Sequence, residues 1–112
     1  MRLPPRSGPS MARDTWAYRD VAVESFLDPR DGALRIRPMA GQAFAPTLAV
    51  HCTRRLRDAT LYPPGTRFLL QAKLTDRLGG DPFLYAWHGD PVTVLSAAEA
   101  KRFLAEFRRG RI

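Results

Sequence analysis

The sequence predicts a mainly β fold of the α+β class, a small antiparallel β-barrel or curled sheet of about five or six strands with one C-terminal amphipathic α-helix. Three observations point there. Several short runs alternate apolar and polar residues with a period of two. Gly, Pro and Asp cluster between those runs at short spacing. One stretch near the C-terminus changes to the period of a helix.

Residues 1–14 hold three prolines, two serines and a glycine and have almost nothing to bury, so they are expected to form a flexible tail ahead of a single domain over 15–112. Met11 offers a second start site within that tail. Trp16 to Leu27 reads as a strand, with Val21, Val23 and Ser25 on one face and Ala22, Glu24 and Phe26 on the other. Asp28-Pro29-Arg30-Asp31-Gly32 is a hairpin turn: proline presets φ and glycine supplies a positive φ. Ala33 to Arg37 returns as a half-buried strand, with Leu34 and Ile36 opposite Arg35 and Arg37. Pro38 to Pro46 is a loop.

Thr47 to Thr53 is the next strand, placing Leu48, Val50 and Cys52 on one face and Ala49, His51 and Thr53 on the other. Arg54 to Leu61 loses the period and is expected to be an irregular link or a short turn of helix. Tyr62-Pro63-Pro64-Gly65-Thr66 is the strongest turn signal. Arg67 to Thr75 is the clearest strand, with Phe68, Leu70, Ala72 and Leu74 facing one way. Asp76 to Pro82 contains Gly79-Gly80 and makes a hairpin loop. Phe83 to His88 follows as a strand, then a turn at Gly89-Asp90-Pro91 and a short strand from Val92 to Leu95.

Ser96-Ala97-Ala98-Glu99 is a capping box that opens a helix over 97–109. Ala100, Phe103, Leu104 and Phe107 form its apolar stripe. Arg108 and Arg109 complement the dipole and Gly110 stops it. Such a helix is not stable alone, so its stripe is expected to close the core.

The net charge is +7, which favours a polyanionic partner. Sixteen of the eighteen basic residues are Arg, a bias that a GC-rich genome also produces, so charge alone does not decide the matter. The excess is concentrated in the tail, in Arg54, Arg55 and Arg57, and in residues 99–112, while residues 15–50 and 59–98 are each balanced. No apolar run approaches the ~20 residues needed to span a bilayer. No apolar stretch follows Arg2 and Arg6, and the single Cys52 excludes an internal disulfide. A cytoplasmic, non-membrane protein is expected.

No catalytic or cofactor motif stands out. His51 and Cys52 are adjacent on a strand, so their side chains point to opposite faces and cannot form a nucleophile–base pair. His51, Cys52, His88 and Asp90 lack the spacing of a metal site. Asp28, Asp31, Asp81 and Asp90 sit beside Gly or Pro and Asp76 opens the Gly79-Gly80 loop, places where Asp stabilises turns. No cofactor, no metal and no enzymatic activity are expected.

Three features could bind a partner. The helix presents Lys101, Arg102, Arg108 and Arg109 in one arc with Ala98 and Ala105, a stripe suited to a phosphate backbone. Arg54, Arg55 and Arg57 follow a strand and could cap the mouth of a barrel. Arg67, Gln71 and Lys73 on one strand could lie beside Phe83, Tyr85 and Trp87 on the next, mixing cations with stacking rings. Large aromatics supply much of a small core, so the three rings are expected to turn inward against Phe68 and Leu70. The leading expectation is a basic, non-enzymatic module for nucleic acid, DNA or RNA, or another polyanion. The alternative is a protein-interaction module or homodimer built on the neutral sheet. A third reading places a small-molecule pocket beneath Pro38 to Pro46.

Overall fold

The computed structural model describes residues 18–76 and 79–108. The expected tail at 1–14 and Arg109 lie outside the described residues. Six strands and one helix follow in order: β1 (Arg19–Leu27), β2 (Leu34–Pro38), β3 (Ala49–His51), a 3-10 turn (Arg54–Arg57), β4 (Arg67–Thr75), β5 (Phe83–Tyr85), β6 (Thr93–Leu95) and α1 (Ala97–Arg108).

The strands form a nearly closed, barrel-like sheet in the order β2-β1-β4-β5-β3, with β6 paired to β4 off that path. β1 pairs antiparallel with both β2 and β4, and β4 antiparallel with β5 and β6. One pairing departs from the expected antiparallel pattern: β3 runs parallel to β5, His51 opposite Tyr85. The closing strands β2 and β3 approach each other without forming a ladder, which leaves a seam.

The turns behave as their residues dictate. Gly32 takes φ 71° in the β1–β2 hairpin and Gly65 takes φ 92° before β4, conformations open to glycine without a Cβ clash. β2 ends at Pro38, which cannot donate to a ladder. Beyond it the Gln42 carboxamide takes over the edge of β1. Its Oε1 accepts from the Ala22 amide at 3.1 Å and its Nε2 donates to the Ala22 carbonyl at 2.6 Å.

Inside the barrel, Val21, Val23, Ile36, Leu56, Phe68, Leu70, Ala72, Leu84 and Ala86 form the core. Phe68 is fully buried and meets Tyr62 edge to face at 5.1 Å. Leu74 shares the parity of Phe68 and Leu70, yet it is 53% exposed because β4 runs beyond the Arg19–Ala72 end of its pairing with β1.

The helix differs from expectation in what it covers. Its capping box forms: the Ser96 amide donates to Glu99 Oε1 at 2.8 Å and the Glu99 amide donates to Ser96 Oγ at 3.1 Å. It packs against β1 and β6, and Phe107 shares a cleft with Tyr18, Asp20 and Gln71. Asp20 and Ala22 lie on the face of β1 opposite Val21 and Val23, and Tyr18 directly precedes the strand. The stripe of Phe103, Leu104 and Phe107 is half-buried and stands outside the core cluster. The helix therefore shields part of the outer face of the sheet, and the barrel fills its own interior.

Candidate nucleic-acid interface

The uncovered part of the outer face is made by β4, β5 and β3. Strand parity decides what stands there. Leu84 is fully buried and Ala86 nearly so, which turns Phe83 and Tyr85 outward. This corrects the expectation that the rings join the core: the space they would occupy is filled by Phe68, Leu70 and Leu84. Trp87 lies beyond the end of β5, 41% exposed, its indole folded over Gly89.

Tyr85 sits directly across from Lys73, and Phe83 across from Thr75. Lys73, Thr75, Asp76, Phe83 and Tyr85 line a shallow pocket of about 340 Å³. The Lys73 ammonium lies 5.6 Å from the centre of the Tyr18 ring, held between that ring and the open face. His51, exposed on β3, stacks on Phe83 with ring centres 4.3 Å apart and planes 24° apart. Cation and rings thus form a strip that crosses three strands.

His51 also lines a second depression, the groove of about 330 Å³ at the β2–β3 seam. Arg30, Arg35, Arg37 and Arg57 line it too, together with Asp28 and the apolar Leu48 and Val50. These arginines come from the hairpin, from the outward positions of β2 and from the 3-10 turn. Asp28 is buried and accepts from the Arg30 backbone amide at 3.0 Å, from Arg30 Nη2 at 2.7 Å and from Arg35 Nε at 3.0 Å. The Arg30 side chain and amide, and then Arg35, hold its carboxyl well below the usual carboxylate range. Arg35 Nη2 reaches Asp31 at 2.5 Å. Asp31 is lowered as well, first by the Ala33 amide and then by Arg35. Arg37 Nε donates to Glu24 at 2.9 Å while its guanidinium lies 4.3 Å above the Phe26 ring.

The residues singled out in the sequence are distributed as follows. Lys73 and Tyr85 come together on the outer face. Arg54 and Arg57 line one further cleft with Leu34, and Arg57 links that cleft to the seam groove. Arg55 belongs to the same exposed turn. Arg67 is half-buried at the far end of β4, between Glu24 and Leu95. Lys101, Arg102 and Arg108 are exposed on the helix. Its C-terminal turn lies at the Tyr18 end of β1, whereas the 3-10 turn lies at the Leu34 end. β1 spans about 25 Å between those ends at ~3.3 Å per residue. The arginine knot and the end of the helix are separate patches.

Sequence reasoning passed over Arg30, Arg35 and Arg37 as site residues, weighed His51 only for catalysis and metal binding, and weighed Phe83 as a stacking ring but expected it in the core. Arg35, Arg37 and His51 are at outward positions of their strands, which the period of two does reveal. The balanced charge of residues 15–50 concealed the three arginines.

Other chemistry finds little support in the geometry. Cys52 packs against the core while His51 faces outward, and burial pushes the Cys52 thiol up to about 11, away from a reactive thiolate. Among the described residues no three His, Cys, Asp or Glu side chains gather as metal ligands. No helix among them is long and apolar enough to cross a membrane. A cleft of about 440 Å³ lies under the loop after β2, between Tyr18, Phe44 and Phe107. Its amides are already engaged: Gln42 by Ala22 and Met39, Gln71 by Asp20. Comparison with protein-family models, with curated proteins and with solved structures finds no significant match.

Proposed function

We propose that this domain is a non-enzymatic module that binds nucleic acid as a single strand, DNA or RNA, across the outer face of β4, β5 and β3. One observation carries the reading: Tyr85 and Phe83 stand outward, Tyr85 paired with Lys73 and Phe83 stacked on His51. Rings that face outward from a sheet accept unpaired bases on their π-faces, and nearby cations neutralise the phosphates between them. Bases stacked within a duplex do not offer their faces in this way, so the reading favours a single strand. Arg54, Arg55 and Arg57 extend the positive surface at one edge, and the net charge of +7 raises the encounter rate.

The test is binding of labelled oligonucleotides, single- and double-stranded, DNA and RNA, across a salt series. Single strands are expected to bind more tightly than duplexes, with affinity falling as salt rises. Absence of binding at low salt, or affinity indifferent to salt, refutes the proposal. The alternative of a homodimer or protein-interaction module draws on Val94, 48% exposed on the short strand β6. Light scattering separates the two: a stable dimer with no affinity for oligonucleotides favours the alternative.

A further inference from the structure

We infer that the groove at the β2–β3 seam is a phosphate-binding site, and that in the bound complex it holds a backbone phosphate of the strand whose bases stack on Tyr85 beside the His51–Phe83 pair. The identity of that strand rests on the function proposed above. The phosphate chemistry of the groove stands on its own geometry.

Four arginines line the groove, Arg30, Arg35, Arg37 and Arg57. Three carboxylates hold three of them in place: Asp28 takes Arg30 and Arg35, Asp31 takes Arg35, and Glu24 takes Arg37. The contacts at Arg35 and Arg37 use the inner nitrogen Nε, at 3.0 and 2.9 Å. Each guanidinium carries five N–H donors. Nη1 of Arg35 and both terminal nitrogens of Arg37 therefore keep donors that no described residue accepts. Arg57 makes no ion pair with any described residue, so one cationic charge in the groove is uncompensated. A tetrahedral oxyanion is the ligand such a set suits, because it accepts several charge-assisted hydrogen bonds at once. Fixing Arg35 and Arg37 by the inner nitrogen lowers the entropy lost on binding.

Size and position narrow the ligand further. About 330 Å³ is at the small end of ligand pockets, enough for a phosphate with its sugar. The floor is apolar, with Leu48 and Val50, and one wall is His51. That imidazole stacks on Phe83, so the phosphate groove and the ring platform meet at one residue. A strand running from Lys73 over Tyr85 and Phe83 to the seam crosses two strand spacings of about 4.8 Å and then enters the groove. Such a path implies a footprint near the lower end of the roughly 4–16 nucleotides seen for single-strand modules of this size.

A phosphate could also be presented by a free nucleotide or oligophosphate, so the experiment has two arms. Inorganic tripolyphosphate and an oligothymidylate without terminal phosphates are each titrated into the wild-type protein, Arg57→Gln and Arg6→Gln, the last removing an equal charge from the N-terminal segment. Circular dichroism confirms folding of each. Arg57→Gln is expected to weaken tripolyphosphate about tenfold, the value of one charge-assisted contact, and Arg6→Gln to leave it near wild type. The oligonucleotide should lose affinity in Arg57→Gln and its salt slope should fall by about one. Tripolyphosphate that fails to bind the wild type at low salt, or binds Arg57→Gln and Arg6→Gln alike, overturns the groove. Tripolyphosphate binding that depends on Arg57, without any oligonucleotide binding, keeps the groove as a site for free oligophosphates and overturns the strand.

Discussion

Leu84 and Tyr85 are neighbours in sequence that should fail in opposite ways when truncated. Leu84 is fully buried between β4 and the rest of the core, so Leu84→Ala leaves a cavity that cannot fully collapse. Changes of this kind cost about 2–5 kcal/mol. In a domain of this size each kcal/mol shifts the melting temperature by roughly 4–8 °C, so a loss of about 8 °C or more is expected. Tyr85 stands on the outer face against Lys73, a cross-strand contact worth less than about 1 kcal/mol. Tyr85→Ala should therefore melt within a few degrees of wild type. Its cost appears in binding instead: a stacking ring contributes about 1–3 kcal/mol per base, roughly a 5- to 150-fold loss of affinity for a single strand. Thermal melts and fluorescence anisotropy with a labelled oligonucleotide read the two effects separately. If Tyr85→Ala destabilises as much as Leu84→Ala, the ring belongs to the core and the reasoning about the outer face is wrong.

Three further outcomes follow from the same geometry. Asp28 has a folded pKa held down by Arg30 and Arg35, so its contribution to stability is complete above the unfolded value of about 4 and drains away as pH falls below it. Asp28→Asn should be less stable at neutral pH and show a flatter acid limb in urea midpoints; parallel pH profiles for the two proteins would refute the ion-pair role. A Cβ at Gly89 would fall 2.4 Å from the Trp87 ring, so Gly89→Ala, in a Trp16→Phe background, should displace the indole and change its emission spectrum. An unchanged spectrum would mean that the indole does not rest on Gly89. The Cys52 thiol, raised by burial to about 11, should react with iodoacetamide at neutral pH about a hundredfold more slowly than an ordinary thiol, and reaction at the ordinary rate would contradict its burial.

Much of the fold is legible where local chemistry decides it alone. The bounds of β4, the Asp28–Gly32 hairpin and the Ser96–Glu99 capping box follow from residues within a few positions of one another. What escapes is long-range. Nothing near Ala49 or Phe83 announces that their strands run parallel, since that depends on a path through the intervening 3-10 turn and β4. Parity likewise divides Phe83, Tyr85 and Trp87 from Leu84 and Ala86, but it does not say which set is inside. Ring volume argues for the first set; the barrel interior, already holding Phe68 and Leu70, admits the second. The helix stripe was readable as apolar, while its seat on the outer face of β1 depends on where the sheet closes.

Charge shows the same limit from another side. Counted along the chain, residues 15–50 are neutral and unpromising, and the helix end looks like the better binding surface. In three dimensions the neutral segment holds its acids and arginines against one another, Glu24 with Arg37 and Asp28 with Arg30 and Arg35. Local neutrality there reflects organisation: the carboxylates fix the guanidinium groups of arginines that line a groove. Lys101, Arg102 and Arg108 are exposed, and each long side chain must surrender up to about 2 kcal/mol of rotamer freedom to meet a fixed phosphate. The two kinds of cation suit different tasks. Exposed excess charge attracts a polyanion from a distance and is screened by salt. Positioned arginines beside stacking rings set where and in which direction a strand lies. The proposed site therefore belongs where net charge is small and geometry is fixed, at the seam beside His51 and Phe83.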